Sequence, residues 1–239
     1  MVIVAALAAW FVVALVTTGL PLVINTYLSA AGGFTAHLWL GAANLAIAIV
    51  LNSIATAATV FIVSESYLGR SLTAGEAFRR STPFVGRLIW LGLLSGLVIG
   101  IGFILFIVPG FIFTAGLILA IPALVLENHA NGLAAMGRSW DLSKGLRWKV
   151  LGVVITVALI VYLPVIAVGG ILPAFVDPSG LEGMGRVSGT ALVLTGLAGV
   201  LQVLIFPLFY CALTVSYYDL RVRKEGFDLE ILAARLQPA

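Results

Sequence analysis

Residues 139–170 read SWDLSKGLRWKVLGVVITVALIVYLPVIAVGG, and the two halves of that stretch obey different rules. Up to Lys149 it mixes Asp141, Lys144, Arg147 and Lys149 with Trp140 and Trp148; beyond Lys149 no charged residue occurs until Asp177. A bilayer core is crossed by roughly 20 apolar residues in a helix. Only helices and closed barrels satisfy their own backbone in lipid. The run from Val150 lacks the period-2 alternation of a barrel strand, so it predicts a membrane-spanning helix that begins at a headgroup-level cluster of cations and indoles.

The rest of the chain follows that lead. Of 239 residues, 62% are hydrophobic and 10% charged, and the mean hydropathy is +1.17. This composition carries more apolar side chain than a water-facing surface tolerates. The expected fold is all-α integral membrane: one membrane domain, residues 1–239, with six spans at about 2–24, 37–63, 86–107, 110–126, 149–172 and 189–216. That leaves no room for a soluble domain. The opening MVIVAALAAWFVVALV lacks a basic n-region and a small-residue cleavage site, and reads as a retained first span. Cys211, the single cysteine, falls within span six and reads as core packing.

Basic residues flanking spans favour the cytoplasmic side. Arg70, Arg79, Arg80 and Arg87 follow span two; Arg138, Lys144, Arg147 and Lys149 follow span four; Arg221, Arg223, Lys224 and Arg235 follow span six. Only Arg186 falls on the other side, so both termini are expected in the cytoplasm. Amphipathic interfacial segments are expected on that face at about 71–82, 130–145 and 226–236. In the first, TAGE (Thr73 to Glu76) has the form of a capping box and Pro83 closes the helix. In the second, Leu133, Met136 and Trp140 form an apolar stripe, and Gly145 supplies a left-handed cap.

Ala77, Arg80 and Ser81 match Ala135, Arg138 and Ser139 at a constant offset of 58. An acid also ends each even span: Glu65, Glu127 and Asp219. Three tandem units are expected, each of two spans and a cytoplasmic amphipathic segment. A carboxylate facing the negative end of a helix dipole needs a partner. Glu127 is therefore expected to pair with Arg138, and Glu65 with Arg79 or Arg80.

Within the membrane, Gly92, Gly96 and Gly100 stack at a spacing that lets helices approach closely, either inside the bundle or across a dimer face. Asn44, Asn52, Thr56 and Thr59 form a polar stripe on span two, expected to face neighbouring spans, with a substrate path as the alternative. Val108 to Gly110 is expected to be the external turn between spans three and four. No span carries a Lys, Arg, Asp or Glu near its middle, which argues against an ion-coupled pump.

His37 and His129, the only histidines, fall on opposite faces in this topology. No zinc-protease, P-loop or nucleophile-elbow signature is present. No catalytic residue, metal site or cofactor is assigned, and the expectation is a protein that is not an enzyme.

PALVLENHANGLAAMGRSWDLSKGLRWKVLGV (122–154) and YYDLRVRKEGFDLE (217–230) resemble the membrane domain found with bacterial glycerophosphoryl diester phosphodiesterases, a family that also occurs as stand-alone multi-pass proteins. Pro122, Glu127, Arg138, Ser139, Trp140, Leu142, Gly145 and Trp148 carry the likeness, followed by Tyr218, Asp219, Arg221, Arg223, Glu225, Gly226, Phe227 and Asp228. The likeness covers about residues 60–232. It implies a six-span helical domain of a bacterial cytoplasmic membrane and does not extend to the catalytic barrel that gives the family its name. The expected role is non-catalytic organisation of lipid or of a membrane partner, with anionic lipids, a membrane protein or a second copy as partners and no nucleic acid. Arg138, Trp140, Lys144, Arg147, Trp148 and Lys149 are the expected headgroup contacts. A transporter or lipid translocator using proline-broken helices and the polar stripe is the second reading.

Overall fold

The computed structural model describes residues 6–7, 10–11, 13–16, 34–129, 131–172 and 189–226. The described residues are helical apart from short connections, with no strand among them. Five helical stretches are long and apolar enough to cross a membrane: Leu38–Tyr67, Ala74–Leu105, Ile107–Leu126, Arg147–Ile171 and Gly196–Glu225. Eight residues of the expected first span are described, and all are helical. The rest of that span, and the expected amphipathic segment beyond Gly226, lie outside the described residues.

α1 (Phe34–Tyr67) runs to the charged end of the molecule. α2 (Ala74–Ser81) opens on a capping box: Glu76 N–H donates to Thr73 Oγ1 at 3.4 Å, and Thr73 N–H donates to Glu76 Oε2 at 3.3 Å. Pro83 ends α2 by opening a 3₁₀ turn, Thr82–Phe84, and α3 (Val85–Leu105) follows without an extended residue.

The turn after α3 corrects the sequence expectation. Phe106 alone is extended, at φ −159° and ψ 150°, and Val108, Pro109 and Gly110 lie inside the first turn of α4 (Ile107–Leu117). Proline fits there because the first turn of a helix needs no intrahelical N–H bond. The glycines let the two helices close so sharply. A Cβ on Gly102 would come 3.1 Å from Gly110 Cα, and one on Gly110 would strike the Phe103 ring.

The fourth expected span is two helices, α4 and α5 (Ala120–Leu126). Pro122 cannot donate back to Ile118, which puts the break at residues 118–119. α6 (Gly132–Ser143) ends at Gly145, whose φ of +84° only glycine adopts without strain. α7 (Arg147–Ile166) contains Pro164 and passes into a π-helical turn, Ala167–Ile171. α8 (Gly189–Glu225) continues as helix nine residues past the expected end at 216, carrying Asp219, Arg221, Arg223 and Lys224 on it.

The apolar stripe expected on α6 holds for Met136 and Trp140, which pack on the core, and is corrected at Leu133. Leu133 is 66% exposed, and the buried positions are Gly132, Ala135, Met136, Ser139, Leu142 and Ser143. These recur at helical spacing and are mostly small, so α6 packs closely on its neighbours instead of resting bulky side chains on a surface. Two core clusters meet at α5. Leu124 and Ala120 pack with Val60, Leu88, Leu91 and Ala135, while Ala123 packs with Leu142, Val150, Leu213 and Tyr217.

Candidate functional site

The charged ends of α1, α5, α7 and α8, with α2 and α6 between them, hold most of the described charged side chains. Glu127 caps α5, its N–H donating to Ala123 O. The Glu127 carboxylate therefore faces the negative end of the α5 dipole. Three side chains compensate. Arg138 Nε donates to both carboxylate oxygens, at 2.8 and 2.9 Å, the Tyr217 hydroxyl donates a short bond, and His129 Nε2 lies 2.9 Å from Oε2. Burial raises the Glu127 pKa, but the bonds from Tyr217, Arg138 and His129 outweigh it and hold the carboxyl below its ordinary value.

Arg138 is shared. Its Nη2 donates to Glu225 Oε2 at 2.8 Å, and Arg221 Nε, four residues before Glu225 on α8, donates to the same oxygen at 3.1 Å. Arg221 Nε is also 4.0 Å from Glu127. Charges thus alternate around a ring of Glu127, Arg138, Glu225 and Arg221, drawn from α5, α6 and α8. The two carboxylates hold the Arg138 guanidinium protonated, its pKa raised chiefly by Glu225 and then Glu127, against the opposing effect of burial.

Glu65, near the end of α1, accepts from Arg80 Nη1 at 3.0 Å and lies 3.9 Å from Arg70. Asp219 accepts from Lys149 at 2.8 Å and from Arg223 at 3.0 Å. Lys224 Nζ donates to the carbonyls of Asp141 and Lys144, satisfying the open end of α6.

The residues expected to meet headgroups separate into two groups. Arg138 and Lys149 are drawn into ion pairs with acids. Trp140 packs inward: its ring lies so close to Gly116 that a Cβ there would clash at 2.3 Å, and it tilts against Phe113 at 6.0 Å. The Arg147 guanidinium lies over the Trp140 ring, 3.8 Å from its centroid. Trp148, the next residue, is 81% exposed, and Lys144, three residues before Arg147, is exposed too. Arg147 makes no hydrogen bond or ion pair among the described residues, and its Nε is buried. Behind Arg147, α4 and α7 enclose an apolar groove of about 430 Å³.

Gly92 and Gly96 lie exposed on the outer side of α3, and a Cβ on either, or on Gly100, would meet nothing within 4 Å. Close packing inside the bundle is therefore not their role among the described residues. The polar stripe on α1 divides. Thr56 is buried and bonded to Tyr210; Thr59 donates to Ala55 O and accepts from Trp10 Nε1 at 3.1 Å. Asn44 and Asn52 are half-buried.

Tyr217, Glu225 and Lys224 were missing from the sequence reading of the site. Tyr218 belongs with them, its hydroxyl 2.6 Å from Ser64 Oγ and its ring stacked on Tyr67 at 4.7 Å. Their signal was faint: residues 217–225 carry tyrosines and alternating charges, but nothing in sequence marks which face meets α5. Among the described residues no group of three His, Cys, Asp or Glu side chains could hold a metal ion. Compared with known proteins, the chain matches no family model, no curated protein and no solved structure.

Proposed function

We propose that the chain is a non-catalytic, six-span protein of a bacterial cytoplasmic membrane that organises anionic lipid at its cytoplasmic face. Three tandem units of two spans and an amphipathic segment make up the domain, and both termini lie in the cytoplasm. The likeness of residues 122–154 and 217–230 to the glycerophosphodiesterase membrane domain supports this architecture. Twelve basic and eight acidic residues on the cytoplasmic side favour anionic headgroups.

The observation that carries the reading is the contrast within that basic set. The Glu127–Arg138–Glu225–Arg221 ring and the Lys149–Asp219 pair consume their own charges. Arg147 has no acid beside it among the described residues, and exposed Trp148 and Lys144 flank it in sequence. An exposed indole next to a cation at the start of an apolar helix suits the headgroup level.

Native mass spectrometry of the protein extracted in native-lipid particles tests the proposal. A defined anionic lipid retained at fixed stoichiometry supports it. A protein partner or clean homo-oligomer with no retained lipid overturns it, and directs attention to the open face of Gly92, Gly96 and Gly100.

A transporter or lipid translocator is the second reading, favoured by the π-helical turn after Pro164 in α7. Broken helices are a common way to build a transport site. Leucine at both Asn44 and Asn52 would abolish transport in that case, and would cost a lipid organiser some stability at most.

A further inference from the structure

The groove between α4 and α7 is the feature that the ion-pair network does not use. Val108, Ile112 and Ala115 form one wall, Leu151 and Ile155 the other, and Arg147 stands at one end. The helices run antiparallel here, so Ala115 lies toward Arg147 and Val108 toward Ile155. From Arg147 to Ile155 along α7 is eight steps of about 1.5 Å, which makes the groove about 12 Å long. Its volume of about 430 Å³ falls in the range of ligand sites. Ile112 and Ile155 are 36% and 41% exposed, so the groove opens sideways along two apolar helices, where hydrocarbon would meet it.

Resting on the proposed function, we infer that this groove is a specific site for a phospholipid with an anionic headgroup, one acyl chain in the groove and the phosphate at Arg147. Charge complementarity selects the occupant. The guanidinium carbon lies 3.8 Å from the Trp140 ring centroid, a cation–π contact that restrains it before any ligand arrives. The buried Nε makes no hydrogen bond, and a buried donor left unmatched is costly. That atom is closed to a ligand as the side chain stands, so a phosphate oxygen would meet the Nη groups of the half-buried side chain. α7 also begins here with no side-chain cap on its first amides, since the preceding residue is Leu146. Those amides add donors directed at the same anion. The apolar walls give the acyl chain a dry surface and offer a free phosphate no advantage.

The full chain, reconstituted in nanodiscs of equal phosphatidylglycerol and phosphatidylcholine with identical acyl chains, is released into native mass spectrometry. The wild type is expected to keep one phosphatidylglycerol per protomer, preferred about fivefold over phosphatidylcholine, the size of one cation's attraction at a membrane surface. Arg147→Gln should remove the preference, and Arg147→Lys should keep part of it. Ile112→Trp fills the groove without changing charge and should abolish the retained adduct; Ile155→Trp does so from the other wall if the first variant fails to fold. A wild-type adduct that survives unchanged in Arg147→Gln and both tryptophan variants overturns this site and leaves the wider lipid-organising reading standing. A wild type that keeps no phosphatidylglycerol at all overturns both.

Discussion

Glu65 and Glu127 each sit at the charged end of an apolar helix, each side chain is 19% exposed, and each takes an arginine from the short helix that follows. Beyond that the two corners diverge. At Glu65 the partners are Arg80 and Arg70, 50% and 74% exposed, both within fifteen residues of the acid along the chain. At Glu127 the arginine is 26% exposed, and Tyr217, Arg221 and Glu225 reach in from a helix some ninety residues away. The same local motif thus makes a solvated surface pair in one place and a three-helix joint in the other. The difference lies in what the end of α8 brings: the Tyr218 ring and hydroxyl against Tyr67 and Ser64 beside the first acid, a hydroxyl and charged groups at the second.

The largest expected effect separates the corners by truncation. Glu127→Ala removes the acceptor of the Tyr217 hydroxyl and leaves Arg138 and Arg221 sharing Glu225 alone in a partly buried site. Breaking a buried pair costs about 3–5 kcal/mol, and partial exposure puts this one at the low end, about 3 kcal/mol. Glu65→Ala should cost less than about 1 kcal/mol, as exposed pairs do. Unfolding by SDS titration in mixed micelles measures both, and equal losses would erase the distinction. The pH dependence has a definite sign. A carboxyl held below its ordinary value of 4.5 contributes stability that is fully present above that value and fades as pH falls through the lower folded value. Glu127→Gln should therefore flatten the stability profile below pH 4.5 and leave its shape near neutrality alone.

How far the sequence reveals these corners follows from what a hydropathy pattern encodes. Acids at the ends of apolar runs, with arginines eleven or fifteen residues on, are visible because charge is rare in this chain. The choice of helix face is not visible, because in a bilayer the lipid-facing and helix-facing sides are both apolar. That is why the spacing that brings Met136 and Trp140 inward on α6 also included the exposed Leu133, and why Gly92 and Gly96 turn outward on α3. Tyr217 and Glu225 were out of reach for a related reason, since only the packing of α8 on α5 and α6 brings them to Glu127. The Phe106 turn was hidden behind Pro109, a residue that fits the first turn of a helix as readily as a loop.

Charge exchange sharpens the comparison at a smaller scale. At the first corner Arg80 bonds one carboxylate, and the exchange sets an arginine at 65 against Arg70 and a glutamate at 80 one turn from Glu76, contacts that are mostly exposed, so Glu65→Arg combined with Arg80→Glu should return to within about 1 kcal/mol of wild type. At the second, Arg138 bridges two carboxylates. Exchanging it with Glu127 would set a glutamate at 138 against Glu225 and an arginine at 127 near Arg221. The double variant should stay at least about 2 kcal/mol below wild type, although the pair itself is formed. Recovery at the second corner would mean that Glu225 contributes little and that the joint is a simple pair.

The smallest effect reaches the buried serines beside the two arginines. Ser81 and Ser139 occupy matched positions and are both fully buried. Ser81 Oγ donates to Ala77 O at 2.6 Å, one turn back in its own helix. Ser139 Oγ donates at the same distance to Gly116 O, on α4. The first bond joins nothing new, so Ser81→Ala should change stability by less than about 0.5 kcal/mol. The second ties α6 to α4 where Trp140 already packs against Gly116, and Ser139→Ala should cost about 1 kcal/mol, the usual net worth of a buried hydrogen bond. If both variants are neutral, the matched serines act only as small residues that let α2 and α6 pack closely. The corners would then differ in their charges alone, not in how their short helices are fastened to the bundle.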